Sequence, residues 1–188
     1  GFGRDVHKAI AEDFKSDPRL GSLRFAEKYI STVAKGMPKT GDLKRINGTI
    51  LSERVDLVDM NGDGLKTPFY LFEIKPYKEF GIGLAQLSGY VFFATMMADG
   101  RFNYDFGTPS VYTPPSNLTV NGKIVLISPP IQGVILYIVP SAEVETALYG
   151  VGIFASFKAL QQLSYLNSVR GFATIGTQTA MAAATRGL

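Results

Sequence analysis

The run Phe69-Tyr70-Leu71-Phe72-Glu73-Ile74-Lys75-Pro76 decides the fold. From Phe69 to Ile74 it is apolar except at Glu73, the pattern of a central strand buried on both faces. A carboxylate in that position needs a reason. Upstream, Gly48 to Asp59 alternates Ile50, Val55 and Leu57 imperfectly with polar residues, and Asn61-Gly62-Asp63-Gly64 then supplies turn chemistry. Two strands joined by a tight turn are the expectation.

On that reading Asp56 falls on the first strand. Glu73 and Lys75, two residues apart, point to one face at the end of the second, and a hairpin brings all three together. Two carboxylates beside a lysine suit phosphodiester hydrolysis. Mg²⁺ prefers oxygen ligands, neutralises charge on a scissile phosphate and activates a water, while an ammonium positions the nucleophile or stabilises developing charge. The plainer alternative is a strand-end ion pair, because short D…E-x-K combinations occur often by chance.

Working outward, Val6, Ile10 and Phe14 recur at four-residue steps between charged residues, predicting an amphipathic first helix that Asp17-Pro18 ends. A second helical stretch is expected around Leu23 to Val33, then a loop broken by Gly36, Pro38 and Gly41. After Gly81 and Gly83, Leu84 to Met97 resumes helical spacing, with Leu87, Tyr90, Val91 and Ala94 on one face. A Pro- and Gly-containing connection follows Arg101. Lys123 to Ser128 and Gly133 to Val139, each closed by proline, read as further strands. From about Ser141 the chain is Ala-rich and helix-prone, and Lys158 and Arg170 interrupt any stretch long enough for a membrane span.

The 188 residues fit one domain with one extension, placed at 1–140 and 141–188. The net charge of +3 permits a polyanionic partner without demonstrating one. With no cysteine, thiolate zinc sites, Cys nucleophiles and disulfides are excluded. The single histidine, His7, excludes two-histidine zinc sites of the H-E-x-x-H kind, and no G-x-S-x-G elbow accompanies it. The chain opens on a polar, charged segment, so no signal peptide is expected, and the missing initiator Met suggests a piece of something larger.

Four segments, in order, resemble the RecB-like branch of the PD-(D/E)XK nuclease superfamily over about Gly3 to Tyr90. They are G-R-D-V-H-K-A-I from Gly3 to Ile10, R-V-D-L-V-D from Arg54 to Asp59, F-E-I-K from Phe72 to Lys75, and Q-L-S-G-Y from Gln86 to Tyr90. The resemblance implies a restriction-endonuclease-like α/β core, a mixed central sheet flanked by helices with the site on one sheet edge, plus a helical C-terminal extension. It implies Asp56 and Glu73 as ligands of Mg²⁺ or Mn²⁺, with the Ile74 carbonyl and His7 completing the shell. Lys75 becomes the catalytic lysine, Gln86 orients water or Lys75, and Tyr90 meets a phosphate. Many members have aspartate where this chain has Glu73.

The Pro76-Tyr77 that follows is more typical of nuclease toxin domains, which implies a domain secreted or delivered by a bacterium to act in a target cytoplasm, and a cognate immunity protein as partner. DNA is the expected substrate, and RNA, such as tRNA, is the alternative. A non-cleaving binding module or a membrane-acting toxin are rivals of another class. Asp59 is expected as a turn residue. The D-M-N-G-D-G run from Asp59 to Gly64 starts like a calcium loop but has Tyr70 where the bidentate Glu belongs, so a turn is favoured. Lys35, Lys39, Lys44 and Arg45 are read as a phosphate-tracking loop, with Lys44 and Arg45 as substrate-binding residues; a solvated loop is the plain alternative.

Overall fold

A computed structural model describes residues 1–36 and 53–140. The expectations for Lys39, Lys44 and Arg45, for the start of the strand at Gly48 and for the extension at 141–188 lie outside the described residues.

The elements run α1 (Phe2–Lys15), β1 (Arg24–Tyr29), α2 (Ile30–Ala34), β2 (Arg54–Asp59), β3 (Phe69–Pro76), α3 (Phe80–Ala98), β4 (Tyr104–Phe106), β5 (Asn117–Val120), β6 (Lys123–Ile127) and β7 (Val134–Ile138). Seven strands form one mixed sheet in the order β1-β2-β3-β7-β6-β5, with β4 pairing β3 off that path. β3 pairs β4 and β7 in parallel, and the other pairings are antiparallel.

Two apolar clusters lie on the two faces. Beneath α1, Val6, Ile10 and Phe14 meet Leu57, Phe72, Ile74 and Ile135. Beneath α2 and α3, Ile30, Leu84, Leu87 and Ala94 meet Val55, Leu71, Val134 and Leu136. β3 alternates between these cores, Leu71 to one and Phe72 and Ile74 to the other, so the expected doubly buried strand is present. The fold is α/β, with helices packed on both faces of the sheet.

Several expectations need correcting. Arg24–Tyr29 is a strand, and only Ile30–Ala34 of the second stretch is helical. Its ladder with β2 runs from Arg24↔Asp59 to Tyr29↔Arg54, a long-range pairing that overrides local spacing. The β2–β3 connection is no tight turn: the register closes at Asp59↔Tyr70, and the loop is held instead by Asp63, whose carboxylate accepts from the Leu65 and Thr67 amides. Those amides, Thr67 first, keep Asp63 below its ordinary pKa. The hairpin turn favoured over a calcium loop is thus replaced by a longer connection closed on Asp63. The connection after Arg101 contains β4 and β5, too short to carry a periodic signal.

α3 begins at Phe80 and so includes Gly81 and Gly83. A Cβ on Gly83 would stand 2.7 Å from Lys75 Cγ, so this glycine lets the helix approach the strand rather than marking a boundary. Among the described residues one helix, Tyr77–Ala98, is long and apolar enough to cross a membrane by length and composition. Its Leu84, Leu87, Tyr90 and Ala94 are buried in the sheet-side core, as in the central helix of a folded domain.

Gly107 packs close against β3. Its N–H donates to Leu71 O at 2.8 Å, and a Cβ there would run into the Phe72 ring. Gly107→Ala is expected to cost about 2–3 kcal/mol by overpacking, lowering the thermal midpoint by about 5–10 °C. A midpoint within a degree of the parent would show that the Phe72 ring yields freely.

Candidate active site

The site forms where two central strands part. β2 and β3 pair through Asp59↔Tyr70, Val58↔Leu71 and Leu57↔Phe72, and no further. On its other side β3 changes neighbour: β4 pairs with Phe69 to Leu71, and β7 takes over from Glu73 to Pro76. In the fork, Asp56 Oδ2 accepts the Ile74 N–H at 2.7 Å. The N–H and C=O of one strand residue face the same edge, so the Ile74 carbonyl also faces the fork. The site therefore lies between interior strands and not on a lateral sheet edge, because it is the divergence of β2 from β3 that frees these backbone groups.

The pleat slips at the same place. Val55 and Val58, three positions apart, both pack beneath α3, whereas Leu57 packs beneath α1. Opposite this point the β1 ladder passes over Glu27, which has a φ of 52°. Asp56 consequently lines cavities on both sides of the sheet.

Glu73 and Lys75 share the α3 side, and Lys75 Nζ lies 2.9 Å from Glu73 Oε1. Glu73 is almost wholly buried, and its Oε2 has no hydrogen-bond partner among the described residues. Burial first, and the charge of Asp56 second, push its pKa up to about 8 against the pull of Lys75. For Lys75 burial opposes the charge, but Glu73, its hydrogen bond and Asp56 outweigh it and hold the ammonium above its ordinary value.

A divalent cation fits this donor set. An orphaned buried carboxylate oxygen, a second carboxylate close enough to raise its pKa, and a backbone carbonyl facing the same fork are hard oxygen donors of the kind Mg²⁺ and Mn²⁺ take. Among the described residues no group of three or more His, Asp or Glu side chains stands ready as a closed cage. Mg²⁺ does not require one, since it keeps several waters and is held by one or two carboxylates and substrate phosphates.

Gln86 and Tyr90, one turn apart on α3, line the same cavity of about 360 Å³ as Asp56, Glu73 and Lys75. Gln86 Oε1 is buried there without a partner among the described residues. Burial, then the Glu73 charge, raises the Tyr90 hydroxyl pKa and keeps it a neutral donor. His7 arrives from the opposite side. Its Nδ1 is 3.4 Å from Asp56 Oδ1, and it lines the second cavity, with Arg4, Lys8 and Ile74. The structure thus brings His7 to Asp56 across the sheet from Lys75.

Asp59 is more than a turn residue. It accepts the Asn61 N–H at 3.0 Å, and it also holds the buried Arg24 Nε at 2.8 Å. Three residues not singled out from the sequence complete the candidate cavity, Tyr29, Glu53 and Arg54. Arg54 opens the R-V-D-L-V-D segment, and its position two residues before Asp56 was the available signal. Tyr29 sits in the stretch read as helix and gave none. In comparisons with known proteins, no family model, no curated protein and no solved structure matches this chain.

Proposed function

We propose that this chain is a metal-dependent phosphodiesterase with a restriction-endonuclease-like core, cleaving DNA. The observation that carries the reading is the convergence of Asp56, Glu73, Lys75 and Gln86 on one cavity at the β2–β3 fork. An ion pair built only for stability would leave no buried oxygen unpartnered, since such groups are costly.

In this reading Asp56 and Glu73, with the Ile74 carbonyl, hold the cation, which when bound lowers the pKa of a water and screens phosphate charge. Lys75 stands against Glu73 and offers its ammonium to the nucleophile or to the charge that develops on the phosphate. Gln86 accepts from that water or from Lys75, and the Tyr90 hydroxyl donates to a phosphate oxygen. His7 steadies Asp56 from the α1 side. The E-I-K-P-Y run and the absence of cysteine support a delivered bacterial toxin with a cognate immunity protein as partner.

Incubation of the purified protein with plasmid DNA and total RNA, with Mg²⁺, Mn²⁺ or EDTA, tests the reading. DNA is expected to be degraded with metal only, and Lys75→Ala is expected to lower the rate by about 10²–10³-fold, the scale of losing one charge-stabilising donor. RNA cleavage in place of DNA cleavage would change the substrate and keep the chemistry. If neither polymer is cut with either metal, the reading fails. Growth arrest on expression in a bacterial cytoplasm, relieved by Lys75→Ala, reads the toxin role.

A further inference from the structure

Tyr29, the last residue of β1, and Arg54, the first of β2, have no part in the chemistry above. They are register partners at the end of the β1–β2 ladder. The Arg54 guanidinium carbon lies 4.7 Å from the Tyr29 ring centroid, and Nη2 donates to the Tyr29 hydroxyl at 3.0 Å. Arg54 is exposed and Tyr29 half-buried, and both line the cavity that contains Asp56, Glu73 and Lys75. An arginine plane held by a tyrosine is a stacking surface for a nucleobase, as both aromatic rings and guanidinium groups are in proteins that bind unpaired strands.

The size of the cavity selects among nucleic-acid forms. Its volume of about 360 Å³ is near the lower end of the roughly 300–1,000 Å³ of pockets that enclose one small molecule. The end of the β1–β2 ladder supplies one side and α3, through Gln86 and Tyr90, supplies another. A base held in a duplex stack has to be extruded, at a cost of a few kcal/mol, before it can enter a concavity of this kind; an unpaired base enters directly.

We propose that the cavity takes one unpaired nucleotide beside the scissile phosphate, its base stacked on the Arg54–Tyr29 pair, and that the substrate is therefore single-stranded nucleic acid or an unpaired end. This rests on the nuclease reading and names the substrate form for the same site. Tyr29 and Arg54 are binding residues in it and touch no reacting atom.

The test compares a labelled single-stranded DNA with the same strand annealed to its complement, in Mg²⁺ or Mn²⁺, for the parent, Tyr29→Ala, Tyr29→Phe and Arg54→Met. The single strand is expected to be cut at least tenfold faster than the duplex. Tyr29→Ala and Arg54→Met are expected to lower kcat/KM on it by about 10- to 100-fold, the scale of one stacked base, chiefly through KM. Tyr29→Phe keeps the ring and stays within about threefold of the parent, which separates stacking from folding even if Tyr29→Ala proves unstable. Equal cleavage of duplex and single strand, or unchanged KM in Arg54→Met and Tyr29→Ala, overturns this proposal alone. Where RNA proves to be the polymer cut, an RNA strand and its duplex take the place of the DNA pair with the same expected ratios; if the parent cuts neither form of either polymer, the nuclease reading falls as well.

Discussion

Glu73→Gln is expected to reduce metal-dependent cleavage by 10³-fold or more and at the same time to raise the thermal midpoint of the metal-free protein above pH 8. The first half follows from the donor set: the amide keeps an oxygen for Lys75 but loses the charge that holds a cation, and 10³-fold corresponds to about 4 kcal/mol of transition-state stabilisation. The second half follows from linkage. The folded-state pKa of Glu73 is raised from 4.5 to about 8, by burial and then by Asp56. Between those values the folded protein keeps a proton that the unfolded chain releases, so stability falls as pH rises through the window.

The burden on the parent is therefore absent below about pH 4.5 and complete above about pH 8. Glutamine carries none of it, so the gain in midpoint should grow with pH and level off near 8, offset in part by the lost partner of Lys75. Saturating Mn²⁺ stabilises the parent by binding the folded state and should leave the variant's midpoint unmoved. Calorimetry at pH 5, 7 and 9 with and without Mn²⁺ reads all of this. Parent-level cleavage by Glu73→Gln would sink the catalytic assignment. A midpoint below the parent's at pH 9 would instead identify an ordinary stabilising ion pair.

The sequence exposed what local pattern can expose. Val6, Ile10 and Phe14 mark the buried face of α1 because a helix repeats its inner face within a few residues, and all three are fully buried. Glu73 stood out because β3 is apolar on both faces, and its two-residue spacing from Lys75 sufficed to put both on one side. What stayed hidden depends on partners far along the chain. β1 carries Phe25 and Tyr29 four residues apart, a spacing that suits either element, and only pairing with β2 makes it a strand. The fork exists because β2 parts from β3 beyond Leu57↔Phe72, while on the other side β7, some sixty residues on, replaces β4 as neighbour, and neither event has a local signature. Asp56 was legible as a carboxylate near Glu73, but its position between two cavities reflects a slipped pleat that no periodicity announces.

Arg24 was equally unreadable, since a basic residue at a supposed helix start suggests a solvated side chain, yet its loss or that of its partner should have the largest effect on stability. Its guanidinium is buried, with Nε on Asp59 at 2.8 Å, Nη1 on Phe14 O at 3.0 Å and Nη2 on Val111 O at 2.8 Å. It also lies 4.6 Å from the Phe14 ring centroid and 5.5 Å from that of Tyr112. One side chain thus ties the last turn of α1, the end of β2 and the loop before β5. Asp59→Ala leaves this cation buried without its counter-charge and is expected to cost about 3–5 kcal/mol, lowering the midpoint by about 10–15 °C. Asp59→Asn keeps an acceptor for Nε and should cost less. The double variant Arg24→Met, Asp59→Leu removes both charges and should recover much of the loss, since an apolar pair of similar volume avoids the desolvation of two ions. Urea unfolding of these proteins ranks the losses, and the single variants Arg24→Met and Asp59→Leu complete the cycle that gives the coupling. An Asp59→Ala loss below about 1 kcal/mol, the usual worth of an exposed pair, would mean that water reaches Arg24. A double variant no better than Asp59→Ala would show that the carbonyl bonds and ring contacts of Arg24, not its charge pairing, hold α1, and with it His7, against the sheet.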